Sequence, residues 1–251
     1  QKGNIMIYYK NFIFPSTVPI VKGSQGTFVN VPCSFDIETS SWYYRNEKVA
    51  NMYIWQFGFD DTAVYGRTWE ELKDWFDMLH LFLNLNEGYK LVVYVHNLGY
   101  EFQFLKGHFS IEKLFAREKR RPMYFSIGQL LFKDSLILSG LSLDKTLKEC
   151  NSAHLKTDGL DYSKLRHSNT PLTDEELEYC ENDVLGLNDF IRKEMNKNGD
   201  ISKIPTTKTG YVRRYVRNKC LSNPKYGTEL REQLTTDPKI FDLMRKCFSG
   251  A

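Results

Sequence analysis

The clearest periodicity lies late in the chain. From Asp174 to Lys197 apolar residues recur at Leu177, Cys180, Val184, Leu187 and Ile191, one stripe of a long helix. Thr173 precedes it as an N-cap, and Glu176 completes a capping box three residues on. Thr68 to Leu85 is a second amphipathic stretch, with Trp69, Leu72, Trp75, Phe76, Leu79 and Phe82 on one face. Leu91 to Val95 is an unbroken apolar run, the signature of a strand covered on both faces. Strands are also expected at Asn30–Ile37, Met52–Phe59 and Thr62–Tyr65, the last two joined by a turn at Asp60-Asp61. Met123–Ile127 and Gln129–Lys133 form a hairpin around Gly128, and short helices are expected at Tyr100–Lys106 and Leu141–Cys150. A polar loop then runs to about Asn169. Beyond Gly199 three further helices are expected, near Thr206–Leu221, Lys225–Leu234 and Pro238–Phe248. Strands, then strand–helix alternation, then helices predict an α/β fold: a mixed sheet flanked by helices, with a C-terminal helical extension. The division expected is residues 1–199 and 200–251.

Composition narrows the setting. The chain has 251 residues, 41% of them apolar, which allows a sizeable core. No apolar run approaches a membrane span, so no membrane partner is expected. The chain opens on Gln1-Lys2 with no signal peptide and no methionine, so its natural start is expected upstream. Its five cysteines are scattered without metal-type spacing, which suits a reduced, cytoplasmic protein. Net charge is only +3, but its distribution is uneven. Ile201–Cys220 holds six basic residues and no acidic one, and Arg117, Lys119, Arg120 and Arg121 form a second cluster. Such patches can neutralise phosphates or simply face water.

Three groups of carboxylates bring in chemistry. Asp36 and Glu38 lie two apart at the end of a predicted strand and so point to one face. A pair of that kind faces water or a cation, and its hard oxygen ligands suit Mg²⁺ or Mn²⁺. Glu101 follows the buried strand, four residues after Asn97, where ligand sites of α/β sheets gather. The same two residues also fit a helix cap and a first-turn acid. Tyr179 and Asp183 stand one helical turn apart, about 100° off the apolar stripe, at the edge of the core.

The order D-x-E, then N-x-x-x-E, then Y-x-x-x-D resembles the three exonuclease motifs of the DEDD superfamily, in its tyrosine-bearing branch. Five further stretches narrow the resemblance to protein-primed family B DNA polymerases of bacteriophages. They are Tyr94-Val95-His96-Asn97-Leu98, Asp134-Ser135-Leu136, Asp161-Tyr162-Ser163-Lys164, Thr207 to Arg214, and the ending Phe248-Ser249-Gly250-Ala251. The resemblance covers residues 30 to 251. It implies a ribonuclease H-like fold and an N-terminal 3′–5′ exonuclease domain whose polymerase domain would follow in the parent chain. It implies that Asp36, Glu38, Glu101 and Asp183 hold two divalent ions, which stabilise the attacking and leaving oxygens. Tyr179 would orient the attacking water, and Lys164 would meet developing phosphoryl charge. Thr39, Asn97, Tyr100, Phe104, Ser135 and Leu136 match positions that touch single-stranded DNA. The implied partners are a single-stranded DNA 3′ end and a terminal priming protein, in a host-cell cytoplasm.

One residue departs from the pattern. The second motif ends in Asp in that family, and here it ends in Glu101, one methylene longer. That keeps open an inactive module binding single strands or a priming protein. A freestanding exonuclease acting on RNA is the other alternative.

Overall fold

The computed structural model describes residues 6–157, 160–222, 227–234 and 237–247. It divides into two units, 1–206 and 207–251. The first unit contains β1 (Ile7–Tyr8), β2 (Ile20–Gly23), β3 (Gly26–Val29), β4 (Cys33–Tyr44), β5 (Glu47–Phe59) and β6 (Thr62–Gly66). There follow α1 (Trp69–Phe82), β7 (Tyr89–Val95), α2 (Gly99–Leu105), and the meander β8 (Glu112–Glu118), β9 (Arg121–Ile127) and β10 (Leu130–Asp134). Helices α3 (Ser135–Ser139), α4 (Leu143–Cys150) and α5 (Asp174–Asn198) complete it. The main path of the mixed sheet runs β1-β6-β5-β4-β7-β10-β9-β8. Strands β4, β7 and β10 are mutually parallel neighbours, while β5, β6 and β9 run antiparallel to theirs. This is the mixed sheet flanked by helices that the sequence pattern predicts.

Alternation along β4 and β5 sorts their side chains between two layers. Cys33, Phe35 and Ile37 join Trp55, Phe57 and Phe59 in the main core, beneath Trp75 and Phe76 of α1. The opposite face meets α5, where Tyr53 and Ile54 pack with Cys180, Val184 and Leu185. Both long helices start as expected. Thr68 and Thr173 each accept from the backbone three residues on, and Glu71 and Glu176 reach back to close capping boxes. At Gly186 an added Cβ would lie 2.6 Å from the His154 carbonyl, so the absence of a side chain lets the chain after α4 press against α5.

Several expectations shift. The strand expected at Asn30–Ile37 begins only at Cys33, after Pro32, which has no N–H to give a ladder. It then runs on to Tyr44, because β5 pairs with it along a long hairpin whose outer half is largely exposed. Met6–Phe14 has no periodicity but many aromatics, and it fastens onto α1. Tyr8 and Tyr9 donate to Glu71 (2.6 Å) and Asp74 (2.9 Å), while Phe12 and Phe14 pack on Trp75. Helix α3 is an addition; it ends where Gly140 turns left-handed (φ 70°), ahead of the expected helix, α4.

In the second unit are α6 (Lys208–Leu221), α7 (Gly227–Leu234) and α8 (Pro238–Cys247). These are the three helices expected beyond Gly199, with α6 starting at Lys208 after its Thr207 cap. The basic stretch Ile201–Cys220 is not one helix. Ile201–Lys203 forms a 3₁₀ turn in the first unit, where the Ile201 amide donates to Asn30, and the other basic residues lie on α6. The Phe248–Ala251 ending lies outside the described residues. Among the described residues no helix is long and apolar enough to cross a membrane.

Candidate active site

Strands β7 and β10 end beside the first half of β4, and the side chains gathered there surround a cleft of about 680 Å³. β4 contributes Asp36 and Glu38 on the face turned toward α5. That face is pinned, because Ser34 donates to the Val184 carbonyl of α5 at 2.8 Å. Tyr179 and Asp183 on α5 therefore look across at the β4 pair. One carboxylate oxygen each from Asp36, Glu38 and Asp183 lie within 4.8 Å of one another, a set able to hold a metal ion. The β4–β5 register shifts between Glu38 and Thr39, so the bulge falls at the edge of this cluster.

Glu101 enters from the first turn of α2 and is 97% buried, as its 3% exposure shows. It lies against Asp36, and a hydrogen bond between the two carboxyls favours a proton on Glu101. The chain ahead of α2 is held by Asp134 at the end of β10. That buried carboxylate accepts from the amides of Leu98 and Ile137, both at 3.1 Å, and so caps the entries to α2 and α3 together. Asn97 takes a left-handed conformation (φ 71°) and lines the cleft exposed; it caps nothing.

Burial and mutual repulsion make the cluster hold protons, against the pull of one nearby ammonium. Asp36 is raised to about 7, first by burial and then by repulsion from Asp183. Glu38 and Glu101 are raised well above the usual range, by burial first and then by Asp36. Asp183 is also raised by burial, though the ammonium of Lys156, 3.8 Å from it, opposes that. One oxygen each of Glu101 and Asp183 is buried without a partner. Buried, mutually repelling, orphaned oxygens are what a divalent ion with oxygen ligands would satisfy.

These shifts give a stability prediction. A raised carboxylate contributes stability below its unfolded pKa and loses it as pH rises through the folded value. For Asp36 the window runs from about 4 to about 7. Metal binding needs the deprotonated form. The increase in Tm produced by Mn²⁺ should therefore be larger at about pH 8 than at about pH 5. Differential scanning fluorimetry reads it directly, and equal increments at both pH values would contradict the assignment.

The expected site residues fall into two groups. Asp36, Glu38, Asn97, Tyr100, Glu101, Leu136, Tyr179 and Asp183 all line the cleft. Thr39 is beside it, its hydroxyl bonded to that of Tyr100, and Tyr100 packs on Phe104 at 5.3 Å. Phe104 is half-buried against the main core rather than on the cleft wall. Ser135 is fully buried, with its hydroxyl committed to the Val95 carbonyl and to His96, so a strand cannot touch it directly. Lys164 is not in the cleft lining either. Its ammonium lies 3.8 Å from Glu176.

The lysine in the cleft is Lys156, which also sits 5.2 Å over the Tyr179 ring. Tyr162 joins it, with its hydroxyl 3.1 Å from that of Tyr179. Behind the cluster the Gln56 amide donates to Asp36 at 2.9 Å from within the core. Lys156 lies in a loop with no periodicity, so no local pattern marks it. Gln56 could have been found from the strand period, since it shares the α5 face with Ile54.

No family model matches the chain, and no curated protein matches it. Solved structures do. The chain is similar to Phi29 DNA polymerase complexed with single-stranded DNA (17% identity, TM-score 0.59), over 78% of this chain and 36% of that one. The binary complex with primer-template DNA gives 16% identity and TM-score 0.60 over the same shares. The ternary complex gives 17% and 0.54, over 67% of this chain and 31% of that one. The chain thus spans about a third of the length of the polymerase chains it matches. At such identities the likeness establishes architecture, and the conclusion is that this chain carries the mixed-sheet, ribonuclease H-like fold of one part of a DNA polymerase.

Proposed function

We propose that this chain is the 3′–5′ exonuclease domain of a protein-primed DNA polymerase, a two-metal enzyme that hydrolyses nucleotides from single-stranded DNA ends. The observation that carries the reading is the convergence of four carboxylates, from β4, α2 and α5, on one cleft beside the ends of β7 and β10. Asp36, Glu38, Glu101 and Asp183 would hold two divalent ions, Mg²⁺ or Mn²⁺. Bound there, the ions would supply charge stabilisation for the attacking and leaving oxygens of an in-line displacement.

The remaining residues have separate work. The Tyr179 hydroxyl, held far above its usual pKa by burial first and by Asp183 next, stays protonated and orients water by hydrogen bonding. We assign the phosphoryl-facing cation to Lys156 rather than Lys164, because only Lys156 lines the cleft. Tyr100 is 43% exposed and offers a ring face to an unpaired base. His96 is kept neutral, pushed down to about 4 by burial and then by Lys156, so it adds no charge to the strand path.

Two substitutions test these roles. Lys156→Ala should lower single-turnover hydrolysis by about a hundredfold with little loss of DNA binding, while Lys164→Ala should leave hydrolysis near wild type. The reverse ranking would overturn the lysine assignment. Glu101→Ala should be nearly inactive and Glu101→Asp active with a changed Mg²⁺/Mn²⁺ preference, because Mg²⁺ tolerates a displaced carboxylate poorly. If Glu101→Ala hydrolyses as wild type with both metals, Glu101 is a first-turn acid only. Comparing matched DNA and RNA strands separates this reading from an RNA exonuclease.

A further inference from the structure

A second cavity, of about 770 Å³, opens elsewhere on the sheet and shares no lining residue with the carboxylate cleft. Alternation builds its floor. Phe125, Ile127, Leu130 and Phe132 point into the main core, so Tyr124, Ser126, Leu131 and Lys133 face the other way and line the cavity. Ser126 is only 3% exposed, yet its hydroxyl has no hydrogen-bond partner. The Lys133 ammonium makes no ion pair among the described residues, and burial alone holds its pKa down to about 8. An unpartnered hydroxyl and an uncompensated ammonium are each costly, and both are relieved by one anion. The other charged groups here are Glu87, Glu112, Lys90 and Lys113, on β8 and around the start of β7. Lys90 is already engaged with the Gln25 carbonyl at 2.9 Å. One wall is aromatic, since the Phe115 and Tyr124 rings stack at 5.5 Å and Phe115 is half exposed.

We propose that this cavity binds a nucleoside phosphate, its phosphate meeting Lys133 and the Ser126 hydroxyl and its base lying against the Phe115–Tyr124 wall. Apolar ring surface beside a few convergent polar groups is the usual composition of a small-molecule site. The same chemistry is offered by a free nucleotide and by one nucleotide within a single strand. The proposal goes beyond the exonuclease reading and stands apart from it, because no cleft residue takes part.

The test is equilibrium dialysis of the whole chain in EDTA against dAMP, adenosine, and a short single-stranded oligonucleotide. We expect Lys133→Met to weaken dAMP binding by roughly tenfold or more, with a smaller loss for Ser126→Ala. Adenosine should bind more weakly than dAMP. Lys133→Met should melt at or above the wild-type temperature, because it removes an unpaired charge, so lost binding would not reflect unfolding. If that variant fails to fold, Lys133→Gln and Ser126→Ala carry the test. Lys133-dependent binding of dAMP identifies a free nucleotide; dependence seen only with the oligonucleotide identifies the strand. Asp36→Ala should leave the Lys133 dependence unchanged, so the cavity is tested separately from the cleft. The proposal is overturned if no probe binds, if neither affinity responds to these variants, or if adenosine binds as tightly as dAMP.

Discussion

Asp36→Ala is expected to reduce metal-dependent nucleotide release by on the order of a thousandfold or more, with the metal-free fold intact. Asp36 is the hub of the cluster. One of its oxygens lies within 4.8 Å of one each from Glu38 and Asp183, it lies against Glu101, and it accepts from Gln56 at 2.9 Å. Removing it takes away a ligand shared by the whole set. Its loss also relieves repulsion, since Glu38 and Glu101 are both raised by it. The metal-free variant should therefore melt at or above the wild-type temperature, and added Mn²⁺ should raise its Tm less than that of wild type. A lower metal-free Tm would mean that Asp36 is held for structure.

Arg166→Ala is expected to destabilise the first unit by about 3–5 kcal/mol, the usual result of leaving one member of a buried ion pair alone. Arg166 is almost fully buried, and its guanidinium donates to Glu176 through Nε (2.9 Å) and Nη2, and to the carbonyls of Asp161 and Lys164. Its amide donates to Ser40 on β4 at 2.9 Å. Glu176 meanwhile closes the capping box of α5. One side chain thus ties the Asp161–Arg166 loop to the start of the helix that carries Tyr179 and Asp183. Thermal unfolding should show a drop of roughly 10 °C. Pairing Arg166→Met with Glu176→Leu should recover most of it, because the partner charge is then gone as well. Full recovery of Tm with impaired hydrolysis would locate the function of the pair in placing Tyr162 against Tyr179. An Arg166→Ala protein as stable as wild type would show the pair to be dispensable.

The parts of the fold legible in the sequence are those where one physical rule acts alone. Helix α5 has a stripe, a capping threonine and a returning glutamate, and it begins at Asp174 as expected. The Leu91–Val95 run is covered on both faces, which is why it has no polar alternation. Asp36 and Glu38, and Tyr179 and Asp183, share faces because strand and helix periods are fixed, and α5 then packs where those faces meet.

What was not legible depends on partners distant in the chain. Strand β8 is exposed throughout and has no period to read. The outer half of β4 exists because β5 returns alongside it. Ser135 reads as a surface contact in a short motif, yet the turn from β10 into α3 buries its hydroxyl against Val95. Lys164 follows a suggestive Asp-Tyr pair, but the loop turns it toward Glu176 and brings Lys156 to Asp183 instead. Spacing along an irregular loop carries no facing information, so which of two nearby lysines lines the cleft is not readable from sequence.

The most direct test of the account is to incubate the chain with a 3′-labelled single-stranded DNA oligonucleotide and follow the label with Mg²⁺, with Mn²⁺ and with EDTA. The carboxylate cluster predicts stepwise release of labelled mononucleotide from the 3′ end with either metal, none with EDTA, and none from Asp36→Ala. Release that persists in EDTA, or an intact strand under every metal condition, would contradict it.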